Sequence, residues 1–399
     1  MRFVFLSLGY HPDLDGGGYR YATEVAERLA ARGREVHVVF PNAGNRFPAS
    51  EVRRGVHLHR VPDGTGSFLA NWRAENRAAR RALETLLGPG SGPALLASHQ
   101  AYFEPAARGR GALFMYQGPW GLEYRFSQQA KPRRLGRRWL DPWIARGLHR
   151  TEGRALRAAP QIFTASEYTR RRLREWHPAV RSPVEVVSGG ADFAVFQPPA
   201  DRAAVRQRWG LDPDDFLFLT VRRLDPRMGL AGLLEVFARV SRRHRRARLF
   251  LAGRGPQQAA LEAGIAALGL GGRVRLLGFV PEGDLPGLYG AADCTLMPSL
   301  DLEGFGLATV ESLACGTPVL ASDAGANPEL VGPLDPALVH AAGDARALEA
   351  ALDRLLGGTG RLPDRERCAA YARENFRWER PVEAFERAAQ ARAGGRAAA

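Results

Sequence analysis

At 399 residues the chain is long for a single core and suits two domains, and no run of 18 apolar residues marks a membrane span. Hydrophobic residues make up 45% and charged residues 25%, an ordinary globular balance, while three cysteines (Cys294, Cys315, Cys368) with no C-x-x-C argue against a disulfide framework or a structural zinc site. The formal charge of +14 fits anionic lipid, nucleic acid or phosphorylated ligands, although Lys131 is the only lysine and a bias toward arginine feeds that total.

Met1 to Leu8 is a short apolar run with no small-residue cleavage site, and His11, Asp13 and Asp15 follow it. It reads as a first buried strand, and with the cysteine usage it points to a cytoplasmic chain. A helix is expected from about Tyr19 to Arg32, with Ala22, Val25, Ala26, Leu29 and Ala30 on one face and Gly33 as its left-handed cap. "EVHVVF", "ALLAS", "ALFMYQ", "QIFTAS" and "PVEVVS" are the next strands, several separated by helical patterns. Near-continuous apolar strands between helices argue for a parallel sheet covered on both faces. From Lys131 to Arg157 nine cations accompany two tryptophans. Asp141-Pro142 begins a helix whose Trp143, Ile144 and Leu148 are expected to pack on the sheet, while 128–140, with Arg133, Arg134, Arg137 and Arg138, is the segment suited to an anionic membrane or an acceptor.

"GGADFAVFQPPAD" after Ser188 reads as an interdomain linker. A second set of strands then begins at "FLFLTV" and continues through "RLFLAG", "VRLLGF", "CTLMPS" and "PVLAS". The expected fold class is α/β, two facing Rossmann-like domains with a ligand cleft between them. Domain 1 covers 1–190 and domain 2 covers 191–375. The 376–399 segment forms a C-terminal helix returning to the first domain, with a frayed tail after Gln390.

The densest chemical signal is "LEGFGLATVESLACGTPVLAS", 302–322, where Glu303 sits in a Gly-containing loop and Glu311 in the helix that follows. Such a loop and helix start can offer backbone N–H groups to a diphosphate, while the two carboxylates accept from sugar and ribose hydroxyls. Two solvated glutamates beside a turn would be the plainer reading. With its E-x7-E motif and "ESLACGTPVLASDAGANPELV", the 216–332 segment resembles the donor half of glycosyltransferase family 4, of GT-B architecture. "LAARGREVHVV", "IFTASEYTRRRL", "SGGADFAVFQP" and "ENFRWERPVEAFERA" extend the resemblance over nearly the whole chain.

That resemblance implies a retaining hexosyltransferase-like enzyme whose nucleotide-sugar is a substrate, with no cofactor. Glu311 would hold the ribose, Glu303 the donor-sugar hydroxyls, and the amides of Gly306 and Leu307 the sugar or phosphate. Gly17 and Gly18 match paired glycines that let backbone approach the donor, and Arg254 lies in "GRGP", a loop near the nucleotide. The family commonly grips the diphosphate with an arginine and a lysine. Arg223 fits the first, but Met228 stands in the lysine's place, and Arg227 is the expected replacement. Strand alternation turns Arg222 away from Arg223. Gln117 stands where the family often has a histidine facing the reacting sugar; glutamine forms hydrogen bonds but transfers no proton. His99, after "ALLAS", is a second residue at a strand end.

Asp13 and Asp15 mimic a metal-binding D-x-D outside its proper context, and no His/Cys/Asp cluster has ligand spacing, so no metal is expected. The alternatives are a sugar-nucleotide epimerase of the same architecture and a basic nucleic-acid-binding protein. The second lacks any recognition motif or aromatic-basic platform, so nucleic acid is not an expected partner.

Overall fold

The structure, a computed structural model, describes residues 1–14, 16–64, 66–129 and 141–397. It divides into two compact units. Of the described residues, one gathers Met1–Arg125, 141–189 and the chain from Trp378 on; the other is Gly190–Arg377 together with 126–129.

The first unit holds an eight-stranded sheet: β1 (Arg2–Leu6), β2 (Glu35–Asn42), β3 (Ser50–Arg53), β4 (Val56–Pro62), β5 (Ala94–Ser98), β6 (Leu113–Tyr116), β7 (Ile162–Thr164) and β8 (Val184–Val186). Their order is β3-β4-β2-β1-β5-β6-β7-β8, and every pairing is parallel except β3 with β4. Phe3, Val4, Phe5 and Leu6 are all buried, as a central strand covered on both faces requires. Val4 and Leu6 pack with Val39, Leu83, Leu96 and Phe103. Phe5 and Phe163 meet Phe385 of the Glu379–Ala397 helix, with ring centroids 5.4 and 5.0 Å apart.

Local chemistry starts the helices where the chain needs them. Ser166 and Thr169 form a reciprocal capping box that opens the Glu167–Trp176 helix. Gly33, at φ 74°, follows the Gly17–Ala31 helix in the left-handed conformation.

The second unit holds a six-stranded parallel sheet: β9 (Phe216–Val221), β10 (Ala247–Ala252), β11 (Val274–Gly278), β12 (Cys294–Met297), β13 (Val319–Ser322) and β14 (Val339–His340). Its order is β11-β10-β9-β12-β13-β14. Phe218, Leu249, Leu251 and Leu296 form its core with Leu233, Leu234 and Phe237 of the Leu230–Arg243 helix and Leu348 and Leu352 of the Ala345–Leu356 helix. In each sheet the strand order reverses beside the unit's first strand, at β1/β5 and at β9/β12. In such sheets the crevice beyond the strand ends at that reversal is where ligands bind.

Three expectations need correction. Trp143 does not pack on the sheet but is 71% exposed, because the Asp141–Ala158 helix buries Leu148, as expected, with Ala145, Glu152 and Leu156. The last helix extends past Gln390, where a tail was expected, to Ala397, with Gly394 and Gly395 in its final turns. The strands β3, β4 and β14 were not among those expected.

Candidate functional site

In the first unit, Gln100 follows β5, Gln117 follows β6, and Gly17 opens the helix after β1. Gln117 Nε2 donates to the Gly18 carbonyl at 3.2 Å, and Gln100 Nε2 donates to Gln117 Oε1 at 3.3 Å. Gln100 Oε1 in turn accepts from the Leu8 amide at 3.0 Å. A Cβ on Gly18 would collide with Oε1 of Gln117, so only glycine lets this amide lie against the helix start. The structure thus brings Gly18 and Gln117 together, with Gln100 as a partner the sequence reading missed.

His99 is not part of that group. It is buried among Phe5, Tyr21 and Phe385, neither ring nitrogen has a partner among the described residues, and burial pushes its pKa down to about 3. Asp13 is a fixed loop acid, paired with Arg60 at 2.7 Å and Arg53 at 2.8 Å. Asp15 and most of 128–140, including Arg133, Arg134, Arg137 and Arg138, lie outside the described residues.

One cluster was missed. Glu152, His177 and His149 gather in the first unit, with His177 Nε2 2.9 Å from Glu152 Oε2. Burial pushes Glu152 up to about 8 and His177 down to about 4, each toward its neutral form. The two imidazoles stack at 4.4 Å and 15°, so their in-plane lone pairs run side by side and do not meet at one ion.

In the second unit the site lies at the ends of β9 and β12. Arg222 follows β9 directly, and Ser299 and Glu303 lie in the loop after β12. Arg222 Nη2 donates to Glu303 Oε2 at 2.6 Å, and Ser299 Oγ donates to the same oxygen at 3.1 Å. The Arg222 and Glu303 side chains are 5% and 15% exposed. No hydrogen bond from the described residues reaches Glu303 Oε1.

The loop backbone is held separately. Leu302 sits at φ 55°, unusual for a non-glycine residue, and its carbonyl accepts from Arg227 Nη1 at 2.9 Å. The Glu303 carbonyl accepts from the Ala326 amide at 2.8 Å, and Gly325 lies so close to Glu303 that a side chain there would strike its backbone.

Gly306, at φ 95°, turns the chain into the Leu307–Ala314 helix, whose positive end lies just past Glu303. Glu311 lies buried within that helix and accepts from the Tyr289 hydroxyl at 3.1 Å. Glu303, Gly306, Leu307 and Glu311 therefore share one loop and helix start.

The cations are arranged differently from expectation. Arg222 does turn away from Arg223, but it turns inward, onto Glu303, while Arg223 is 69% exposed with Asp225 3.9 Å away. Met228 is buried in the apolar core, and Arg227 braces the Leu302 carbonyl. Arg254 lies over the Phe279 ring at 5.2 Å.

Residues 201–375 match the family described as Glycosyl transferases group 1, and residues 15–195 match Glycosyltransferase Family 4. A D-inositol 3-phosphate glycosyltransferase of Frankia alni is 30% identical over 86% of this chain and 86% of its own. Sucrose-phosphate synthase of Thermosynechococcus elongatus superposes with a TM-score of 0.82 over 99% of both chains, at 22% identity. Anabaena HepE, solved in complex with UDP-glucose, superposes at 0.71 over 99% of this chain and all of its own, at 19% identity. These structural likenesses carry the fold, GT-B. Among the described residues no helix is long and apolar enough to cross a membrane.

Proposed function

The chain belongs to glycosyltransferase family 4, and from that membership we propose that this glycosyltransferase moves a sugar from a UDP- or GDP-linked donor to an acceptor hydroxyl with retention of anomeric configuration. The observation that carries the reading is the pairing of Glu303 and Glu311 around one helix start at the β9/β12 reversal. The helix N-terminus and nearby arginines favour a diphosphate, Glu311 takes the ribose, and Glu303 takes the sugar hydroxyls. HepE was solved with UDP-glucose, which supports a nucleotide-sugar donor for this chain of the same fold.

In the reaction the bond from the anomeric carbon to the diphosphate breaks, the acceptor oxygen bonds to that carbon, and the acceptor proton passes to the departing phosphate. Gln117 supplies hydrogen bonds and no proton transfer. No metal is assigned a role. In this reading the first unit takes the acceptor. We assign peripheral contact with anionic membrane to 128–140; in the helix that starts at Asp141, Trp143, Arg146 and Arg150 are exposed.

The test is a melting-temperature screen with UDP- and GDP-sugars, because a ligand bound to the folded state at 100 times its Kd adds about 2.7 kcal/mol. A shift with at least one sugar nucleotide is expected. No shift with any of them, at concentrations that saturate related enzymes, overturns the reading. Proton NMR of the product then reads the anomeric configuration, and inversion would refute retention.

A further inference from the structure

We propose that Arg222 is a positioning residue for the donor sugar: it engages Glu303 through Oε2 so that Oε1 is presented to a sugar hydroxyl. The inference rests on the nucleotide-sugar reading above.

Both hydrogen bonds to the Glu303 carboxylate, from Arg222 and from Ser299, fall on Oε2. Oε1 keeps its acceptor capacity at a strand end in the sheet's ligand-binding crevice. A carboxylate free to rotate would lose entropy on meeting a hydroxyl; one fixed beforehand loses little. The guanidinium is committed in turn. It is buried; among the described residues its Nε has no partner, Nη1 meets only the Met297 sulfur at 3.9 Å, and Nη2 serves Glu303. Burial lowers the Arg222 pKa and the Glu303 charge opposes that, so the buried guanidinium relies on its partner.

The loop backbone does not need Arg222. Arg227 holds the Leu302 carbonyl, the Ala326 amide holds the Glu303 carbonyl, and Gly325 packs beneath. Truncating Arg222 should therefore release the carboxylate and leave the loop in place. The helix start that meets the diphosphate and the Glu311 side chain that meets the ribose would also stay.

The experiment compares the parent with Arg222→Ala, Arg222→Lys and Ser299→Ala. It measures UDP, GDP and sugar-nucleotide affinity by calorimetry, and kcat and KM for transfer. In Arg222→Ala, nucleoside-diphosphate affinity is expected to stay within about twofold while kcat falls by about 10- to 150-fold, the worth of one charged hydrogen bond. Arg222→Lys should recover part of kcat, and Ser299→Ala should fall less, in the same direction.

Equal losses of nucleoside-diphosphate affinity and turnover would mean that Arg222 grips the phosphate, which overturns the proposal. Parental kcat in Arg222→Ala would do the same. If that variant does not fold, parental kcat in both Arg222→Lys and Ser299→Ala is the refuting result. A parent that binds no sugar nucleotide removes the functional reading and this inference with it.

Discussion

Replacing His99 with phenylalanine should stabilise the first unit, and more strongly in acid. His99 is buried among Phe5, Tyr21 and Phe385, with both nitrogens unpartnered among the described residues. An unsatisfied buried polar group costs about 1–3 kcal/mol, which phenylalanine would remove, less some strain from its larger ring. Protonation adds a second term. The folded-state pKa is pushed down to about 3, against about 6.5 when unfolded, so between those values the unfolded chain binds the extra proton. Folding stability is therefore full above pH 6.5 and lost as pH falls toward 3, reaching about 2 kcal/mol of loss at pH 5. Urea denaturation of parent and His99→Phe at pH 8 and pH 5 measures both terms. The expected gain is about 1 kcal/mol at pH 8 and about 3 kcal/mol at pH 5. His59 and His177, both held low by burial, titrate in both proteins and cancel in the difference. An equal gain at the two pH values would refute the reasoning, and a loss of transfer by folded His99→Phe would show that the ring does more than pack.

Glu311→Ala should weaken sugar-nucleotide binding, whereas Glu303→Ala should lower turnover more than it weakens nucleoside-diphosphate binding; equal calorimetric losses of diphosphate affinity would contradict those roles. Arg227→Ala is expected to cost about 10- to 150-fold in donor affinity, now through release of the Leu302 carbonyl as well as lost charge, and parental affinity would remove both arguments. Activity should survive EDTA; loss that Mg²⁺ or Mn²⁺ restores would show a metal requirement.

The two-sheet plan was legible because its central strands are buried on both faces and so appear as unbroken apolar runs, such as "RFVFL" and "FLFLTV". β4 was hidden by its polar residues. Val56, Leu58 and Val61 are buried, but His57, His59 and Arg60 mask the pattern, and Arg60 tolerates burial because Glu51 and, far off in sequence, Asp13 pair with it. β14 is two residues long, too short for any period. The Glu303 and Glu311 loop was readable because its residues are neighbours in sequence. Arg222 was not, because its partner lies 81 residues away and two adjacent arginines carry no mark of which one turns inward. The Glu152 and His177 pair was missed for the same reason: Glu152 lies in one helix and His177 just past the end of another, 25 residues apart.

Gly325 has a consequence for swapping specificity between relatives. Its bare backbone is the surface on which the Glu303 residue rests, and the neighbouring Ala326 amide supports the Glu303 carbonyl. The loops after β12 and after β13 therefore behave as one module. A chimera that imports only 298–306 from another enzyme, against a residue larger than glycine at 325, would place a foreign carboxylate on a displaced backbone. Exchange of sugar preference should need both loops transplanted together.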